Sequence, residues 1–255
     1  MLTLFRRFAT VGIAAGLFAG LIVTLLQAFT TVPLIVAAEV YEQAAGHEHE
    51  ASLAPGFVLA SAGPGLVLVH GGEHHDDGEP GAISWQRRIS TLGANLVAGA
   101  GFGLLLAGAM ALAGHAYTPR TAAFWGLAGF ATFAFAPSLG LPPELPGAVT
   151  ADLAARQAWW LMTALATAAG LWLVLLSGRT ILAALGLVLL AVPHLIGSPS
   201  AGLHGGVVPP ELAAEFVTAS LLSQAVFWVV LGYAVGWLGA RLDARAQLDE
   251  ALQPV

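Results

Sequence analysis

Histidine and acidic residues are concentrated in two short segments of this 255-residue sequence. The first reads His-Glu-His-Glu over residues 47–50, and the second reads His-Gly-Gly-Glu-His-His-Asp-Asp over residues 70–77. Imidazole and carboxylate groups together suit divalent metals such as Co(II), Ni(II) and Zn(II), and much of the imidazole is unprotonated near neutral pH. Three interpretations stay open: weak metal capture, a defined high-affinity site, and a solvated loop without a metal role. The candidate ligands here are His47, His49, His70, His74 and His75, with His204 in a later glycine-rich segment.

A second set of ionisable residues lies beside prolines or at the end of a long apolar segment. Two of them, Glu39 and Glu42, are three residues apart and therefore share one face of a helix. A proline near a helix end leaves backbone carbonyls without a donor, and these carbonyls are additional oxygen ligands for a cation. The set consists of Glu39, Glu42, Glu144, His194 and Glu211.

Glu144, His194 and Glu39 are predicted to form a three-ligand metal site where the outer ends of the helices converge. One imidazole and two carboxylates leave coordination positions open for water and for onward exchange, as a transport site requires. The alternatives are a solvated helix end for Glu39 and Glu42, a histidine bonded to a carbonyl, and a Glu144 that caps the next helix.

The residue types that are missing exclude several kinds of site. The sequence has no cysteine, and its nine Lys and Arg residues are all arginine. This excludes disulfides, thiolate metal sites, P-loop ATPase sites and pyridoxal Schiff bases. The motifs His-Glu-x-x-His and Gly-x-Ser-x-Gly are absent, and only His115 and His194 approach the positions that a bis-histidine haem would need. We therefore expect no enzyme and no permanently bound cofactor, with an intramembrane enzyme or haem protein as the remaining alternative.

The composition is that of an integral membrane protein. Hydrophobic residues make up 57% and charged residues 9% of the chain, whereas soluble domains carry about 25% charged residues. Uncharged apolar segments near the length of a membrane span, about 20 residues, cover residues 8–38, 90–114, 121–138, 157–177, 180–196 and 212–240. We predict an all-α integral membrane protein, a polytopic bundle of six transmembrane helices, with five as the alternative. Residues 1–255 form one membrane domain, with an extracytoplasmic His/Glu/Asp-rich loop at 39–89 and a short cytoplasmic tail at 241–255.

The distribution of arginine predicts that the N- and C-termini are cytoplasmic. With this orientation six arginines lie inside and three lie outside, in agreement with the excess of basic residues in cytoplasmic loops. The outer loops then carry most of the acidic residues, which identifies the face that meets cations. The inside arginines are Arg6, Arg7, Arg120, Arg179, Arg241 and Arg245, and the outside ones are Arg87, Arg88 and Arg156.

Three further patterns concern how the helices are arranged. The phrases Leu-Pro-Pro-Glu-Leu at 141–145 and Val-Pro-Pro-Glu-Leu at 208–212 hint at three repeated hairpins, with chance similarity as the alternative. The neutral polar residues Asn95, Gln27 and Gln224 lie inside apolar segments and are predicted mainly to bond between helices. Four tryptophans are predicted to lie at the membrane interface, namely Trp85, Trp125, Trp159 and Trp160.

These segments resemble the CbtA family of probable cobalt transporter subunits. The most distinctive matching phrases are Leu-Pro-Pro-Glu-Leu-Pro-Gly at 141–147 and Pro-His-Leu-Ile-Gly at 193–197. Others are Val-Pro-Leu-Ile at 32–35, Ala-Glu-Val-Tyr-Glu at 38–42, Leu-Gly-Ala-Asn at 92–95, Trp-Gly-Leu-Ala-Gly-Phe at 125–130, Arg-Gln-Ala-Trp-Trp at 156–160 and Phe-Trp at 227–228.

The resemblance implies a multi-pass inner-membrane protein that imports cobalt for cobalamin synthesis. It also implies a small single-span partner, a CbtB-like subunit. Five spans are usually proposed for the family, and the difference from the six predicted here lies near Arg179. The function that we expect is a permease subunit for a divalent metal, with Co(II) ahead of Ni(II) and Zn(II) as cargo. The alternative is an accessory or sensor subunit that captures metal and passes it to another component.

Overall fold

A computed structural model describes residues 2–52, 85–200 and 206–251. Within these ranges the chain is helical and contains no strand. The helices are α1 (Leu2–Phe29), α2 (Thr31–Ser52), α3 (Trp85–Leu112), α4 (Pro119–Phe130), a π-helix (Ala131–Phe135), α5 (Ala136–Ser138), α6 (Leu153–Leu176), α7 (Thr180–Ile196) and α8 (Pro210–Ala251).

Four of these helices contain a segment that is long and apolar enough to cross a membrane. These segments are Arg6–Phe29, Trp85–Leu112, Leu153–Leu176 and Pro210–Asp249. Helix α7 is apolar but shorter, and the predicted span at 121–138 is divided among α4, the π-helix and α5. The protein is therefore a multi-pass membrane protein, and the count of six spans stays a prediction.

The first predicted span is not one helix, because the chain breaks at Thr30 between α1 and α2. Pro33 explains the break, since its ring clashes with the carbonyl of Phe29 and it has no N–H to donate to it. The amide of Thr30 instead donates to the Gln27 carbonyl at 3.2 Å. This corrects the expectation of a single helix over residues 8–38.

The structure also moves two predicted boundaries. Helix α2 continues to Ser52, so residues 39–52 of the predicted 39–89 loop are helical. At the other terminus α8 continues to Ala251, so most of the predicted 241–255 tail is helical. Residues 53–84, which include the second histidine segment, lie outside the described residues.

Glycines allow the helices to approach each other closely. A Cβ at Gly12 would lie 2.7 Å from the carbonyl oxygen of Gly103, and one at Gly16 would collide with the backbone of Gly99. Small residues at a spacing of four are typical of membrane helices whose backbones touch. The pairs α4–α8 and α6–α7 pack through glycines in the same way.

This pairing does not confirm the predicted three-hairpin repeat. A repeat of consecutive hairpins would pair α4 with α6 and α7 with α8, but α4 packs mainly on α8 and α6 mainly on α7. The two similar phrases also differ in conformation. Glu144 lies in a connection without helix, whereas Glu211 lies in the first turn of α8.

The bundle has two distinguishable ends. At the terminal end, Arg7 at the start of α1 forms an ion pair with Asp243 of α8 and stacks over the ring of Tyr117 at 5.3 Å. Burial raises the pKa of the Tyr117 hydroxyl, although the positive charge of Arg7 lowers it. The same hydroxyl donates a hydrogen bond to the Ala107 carbonyl at 3.0 Å. The other end, called the loop end, carries α2, the connection at 139–152, and residues 197–200 and 206–209.

A polar cluster joins α1, α3 and α8 near the break at Thr30. The amide of Asn95 donates to Gln27 Oε1 at 2.7 Å and to Thr24 Oγ1 at 3.0 Å. The hydroxyls of Thr30 and Ser223 are 3.4 Å apart. The prediction that Asn95 and Gln27 bond between helices is therefore confirmed.

Candidate functional site

The loop-end connection at 139–152 is anchored by one buried leucine. Leu145 packs against Ala38 of α2 and Phe216 of α8, and all three are buried. The next turn contains Gly147 with a φ of +78°, a conformation that side chains with a Cβ rarely adopt. The Pro-Pro-Glu-Leu phrase thus holds Glu144 in a fixed position beside the helices.

A cavity of about 480 Å³ extends from this connection into the bundle. Its loop-end rim includes Pro143 and Glu144, and its wall includes polar side chains from α6 and α8. These polar residues are Arg156, Gln157, Ser220 and Gln224. We refer to it as the loop-end cavity.

The deep wall of the loop-end cavity is formed partly by the π-helix. Phe133 and Ala134 of this segment line the cavity, together with Pro137 and Ser138 that follow it. Pro137 has no N–H, so the carbonyl of Phe133 cannot receive the ordinary α-helical hydrogen bond from residue 137. Single π-helical turns are frequent at functional sites. The hydrogen-bond register therefore changes where this segment lines the cavity, and the Ser138 hydroxyl donates to the Ala134 carbonyl at 2.6 Å.

The carboxylate of Glu144 forms an ion pair with Arg156 at the rim of the cavity. Both side chains are partly exposed, at 28% for Glu144 and 27% for Arg156. The Arg156 Nε is buried and has no hydrogen-bond partner within the described residues. Arg156 therefore places an incompletely bonded cation beside the one carboxylate that lines the loop-end cavity.

Glu39 is paired in a similar way. Its carboxylate receives hydrogen bonds from Arg87 at the start of α3, one of them at 3.1 Å. The neighbouring Glu42 is exposed, and its Cβ lies 3.6 Å from the position that a Cβ would take at Gly147. The two carboxylates of α2 therefore lie near the loop-end connection, but they do not line the loop-end cavity.

His194 lies in the last turn of α7 and packs on an aromatic ring. Its imidazole is edge-on to the indole of Trp159, with ring centroids 6.1 Å apart. Trp159 is 6% exposed and lies against Gly140, so it is a buried packing residue. The Trp159 ring therefore fills the space between α6, α7 and the loop-end connection, and its position at the depth of the membrane interface stays a prediction.

The predicted three-ligand cluster is not assembled in the part of the chain that the structure describes. Within those residues no group of three His, Asp or Glu side chains is close enough to hold a metal ion. Glu144 and Glu39 face different arginines, and His194 faces Trp159. Glu211 is exposed at the start of α8. A metal role for each of these residues stays a prediction.

The histidine-rich segment is described only at its beginning. His47 and His49 lie on the last turns of α2, which places them in a helix and not in the predicted loop. His70, His74, His75 and His204 lie outside the described residues, so their role as ligands stays a prediction.

A second cavity, the terminal-end cavity, has a volume of about 460 Å³ and a mainly apolar lining. His115 lines it and is edge-on to Trp125 at 5.7 Å, and Trp125 is edge-on to Trp172 at 6.3 Å. Trp125 therefore lines a cavity within the bundle. Its predicted position at the membrane interface stays a prediction.

Several residues of the loop-end cavity were not identified from the sequence. Arg156 was assigned only to the outer side, and Gln157, Ser220 and Trp228 were given no role. Gln224, predicted mainly to bond between helices, lines the cavity. One feature of the sequence could have indicated this cavity. Ser220 and Gln224 are four residues apart and therefore lie on one face of α8.

Taken together, the apolar helices, their glycine contacts and the polar loop-end cavity define the protein as a multi-pass, all-helical membrane protein. The model of the CbtA family, described as a probable cobalt transporter subunit, matches residues 5–240. The chain therefore belongs to this family, and the word subunit implies a partner component. No curated protein and no solved structure matches the chain.

Proposed function

We propose that this chain is the permease subunit of an importer for a divalent metal, with cobalt for cobalamin synthesis as cargo. The family is described as a probable cobalt transporter subunit, which supports a cobalt cargo. In this proposal the protein lies in the inner membrane with both termini in the cytoplasm, and a small single-span CbtB-like subunit is its partner. It is not an enzyme, and the metal is cargo without a permanently bound cofactor.

The observation that carries the proposal is the composition of the loop-end cavity. Glu144 supplies a carboxylate, and Gln157, Ser220 and Gln224 supply neutral oxygen atoms along the same cavity. Oxygen donors of this kind hold a partly hydrated divalent cation weakly enough for release. Ionisable and polar groups at membrane depth are otherwise costly, which favours a functional role.

Arg156 determines the state of the site when no metal is bound. In the absence of metal its guanidinium neutralises Glu144. An approaching dication attracts the carboxylate twice as strongly as a single positive charge at equal distance. The metal therefore competes with Arg156 for Glu144, and Arg156 sets how easily the metal enters.

The acidic and histidine-bearing residues of the loop end supply metal to this cavity. Negative charge and imidazole near the opening raise the local concentration of the cation. The residues proposed for this role are Glu39, Glu42, Glu211, His47, His49, His70, His74, His75 and His204.

The test is uptake of radiolabelled Co(II) by cells that carry the chain and its partner, as a function of metal concentration. Glu144→Gln should raise the half-saturating concentration about tenfold, equivalent to about 1.4 kcal/mol of lost metal binding. Arg156→Gln should lower the half-saturating concentration, because the competing cation is gone. Glu215→Gln, an exposed carboxylate on α8 outside the loop-end cavity, is the matched control and should leave uptake unchanged.

A purely structural ion pair would behave differently in the same experiment. Both substitutions would then reduce the amount of folded protein, and the double variant would be no worse than either single one. An unchanged half-saturating concentration in Glu144→Gln at normal protein level would contradict the proposal.

The second candidate function is a metal-capturing accessory subunit that passes metal to another component. It is favoured by the pairing of both Glu39 and Glu144 with arginine, since these carboxylates are then not free ligands. Purified chain reconstituted alone in vesicles separates the two functions. A permease should accumulate Co(II) inside the vesicles, whereas an accessory subunit should only bind it on the surface.

A further inference from the structure

Two aromatic residues, Phe133 and Trp228, line both the loop-end cavity and the terminal-end cavity. Their rings are stacked, with centroids 5.6 Å apart and planes inclined by 5°. Among the residues that the structure describes, no other lines both cavities. The stacked pair is therefore the partition between them.

Trp228 is held in place by its neighbours, whereas Phe133 lies on an irregular helical segment. Trp228 is 2% exposed, and a Cβ at Gly129 would collide with its ring, so the indole fits a notch in α4. Phe133 lies in the π-helix, where the hydrogen-bond register differs from that of α4. Phe102 packs against both rings, at 5.3 Å from Phe133 and 5.0 Å from Trp228.

The lining changes from one cavity to the other within three consecutive residues of the π-helix. Thr132 lines the terminal-end cavity, Phe133 lines both, and Ala134 lines the loop-end cavity. A small rotation of this segment would therefore carry the Phe133 ring out of the stack. Narrow apolar constrictions in membrane proteins stop ions because they exclude water.

We infer that the Phe133–Trp228 stack is the closed barrier of the metal path, and that Phe133 is the ring that moves when the path opens. This inference rests on the proposed function, because it takes the loop-end cavity as the metal's access route. Trp228 acts as the fixed surface against which the Phe133 ring closes.

The absence of cysteine from the sequence allows a direct test by thiol labelling. Thr132→Cys and Ala134→Cys place single thiols on the two sides of the barrier. A charged, membrane-impermeant methanethiosulfonate is applied to the loop end of the protein in cells. Labelling of Ala151→Cys in the loop-end connection identifies that side. The Ala134→Cys thiol should react, and the Thr132→Cys thiol should be protected.

Removal of the moving ring should abolish this protection. In a Phe133→Ala background the Thr132→Cys thiol should react at the rate of the Ala134→Cys thiol. Phe135→Ala is the matched control, because Phe135 belongs to the same π-helix, is 46% exposed and lines neither cavity. In this control the protection of Thr132→Cys should persist. If Phe133→Ala does not fold, Phe133→Thr replaces it under the same criterion, since threonine is polar and cannot stack.

The labelling results distinguish failure of the inferred barrier from failure of the proposed function. A Thr132→Cys thiol that reacts in the parent protein, or stays protected in folded Phe133→Ala or Phe133→Thr, overturns the barrier alone. An Ala134→Cys thiol that does not react shows that the loop-end cavity is closed to water. This result overturns the proposed access route together with the barrier.

Discussion

His194 illustrates how a residue suited to metal binding can serve packing instead. Its imidazole lies edge-on to the buried Trp159, and it follows Pro193 within the last turn of α7. Aromatic pairs of this geometry contribute about 0.5–1.5 kcal/mol beyond the area that they bury. Within the described residues no group of three potential ligands includes it. Packing against Trp159 therefore accounts for its position.

The first prediction at this scale compares two substitutions of His194. His194→Phe keeps an aromatic ring beside Trp159 and should preserve both thermal stability in detergent and Co(II) uptake. His194→Ala removes the ring contact and should lower stability by about 1 kcal/mol. Loss of uptake in both variants at unchanged stability would instead support the ligand role expected from the sequence.

The sequence predicted some residue roles here and missed others for a physical reason. Asn95 and Gln27 could be assigned to hydrogen bonds between helices, because an uncharged polar group in a span needs a partner. The pairing of Glu144 with Arg156 could not be predicted, because it depends on the path of the connection between them. Trp159 looked interfacial by position, but its burial is decided by the loop that folds over it.

At the scale of elements, glycine contacts determine where the helices pack. Gly16 and Gly99 face each other across α1 and α3 with no room for side chains, whereas Gly101 of α3 has nothing within 4 Å of its Cβ position. The four-residue spacing of Gly12 and Gly16 is visible in the sequence, and small residues at this spacing favour close packing of membrane helices. The break at Thr30 and the π-helix were not predicted, because Pro33 and Pro137 are compatible with several helix distortions.

The second prediction compares two alanine substitutions in this helix pair. Gly16→Ala should destabilise the protein, because the added methyl group meets the Gly99 backbone and the helices must separate. Gly101→Ala should stabilise it by about 0.5–1 kcal/mol, because alanine favours the helix and has open space. Thermal unfolding in detergent measures both effects. Equal effects of the two variants would contradict the observed packing of α1 on α3.

At the scale of the whole molecule, the three most closely packed helix pairs, α1–α3, α4–α8 and α6–α7, run in opposite directions. Gly12 lies opposite Gly103 and Gly20 opposite Asn95, while Gly126 lies opposite Trp228 and Gly236 opposite Thr118. Helices α6 and α7 meet at Gly170 and Gly186. The turn at 177–179 separates α6 from α7, with Gly178 at a φ of +62°. A sixth span requires that the chain reverse its direction near Arg179, as it does between α6 and α7. The number of spans stays a prediction.

The last prediction concerns where the two termini lie. The ion pair between Arg7 of α1 and Asp243 of α8 brings the start of α1 and the last part of α8 to the same end of the bundle. The arginine distribution predicts that this end is cytoplasmic, since six of the nine arginines belong to it. A reporter that is active only in the cytoplasm should therefore be active after residue 255. A reporter that is active only in the periplasm should be active within residues 60–80.

A fusion after residue 120 is the control and should agree with the C-terminal one, because it follows the connection that contains Tyr117, beside Arg7. Opposite locations for residues 120 and 255 would require an odd number of crossings between them, which would exclude the six-span topology and favour five.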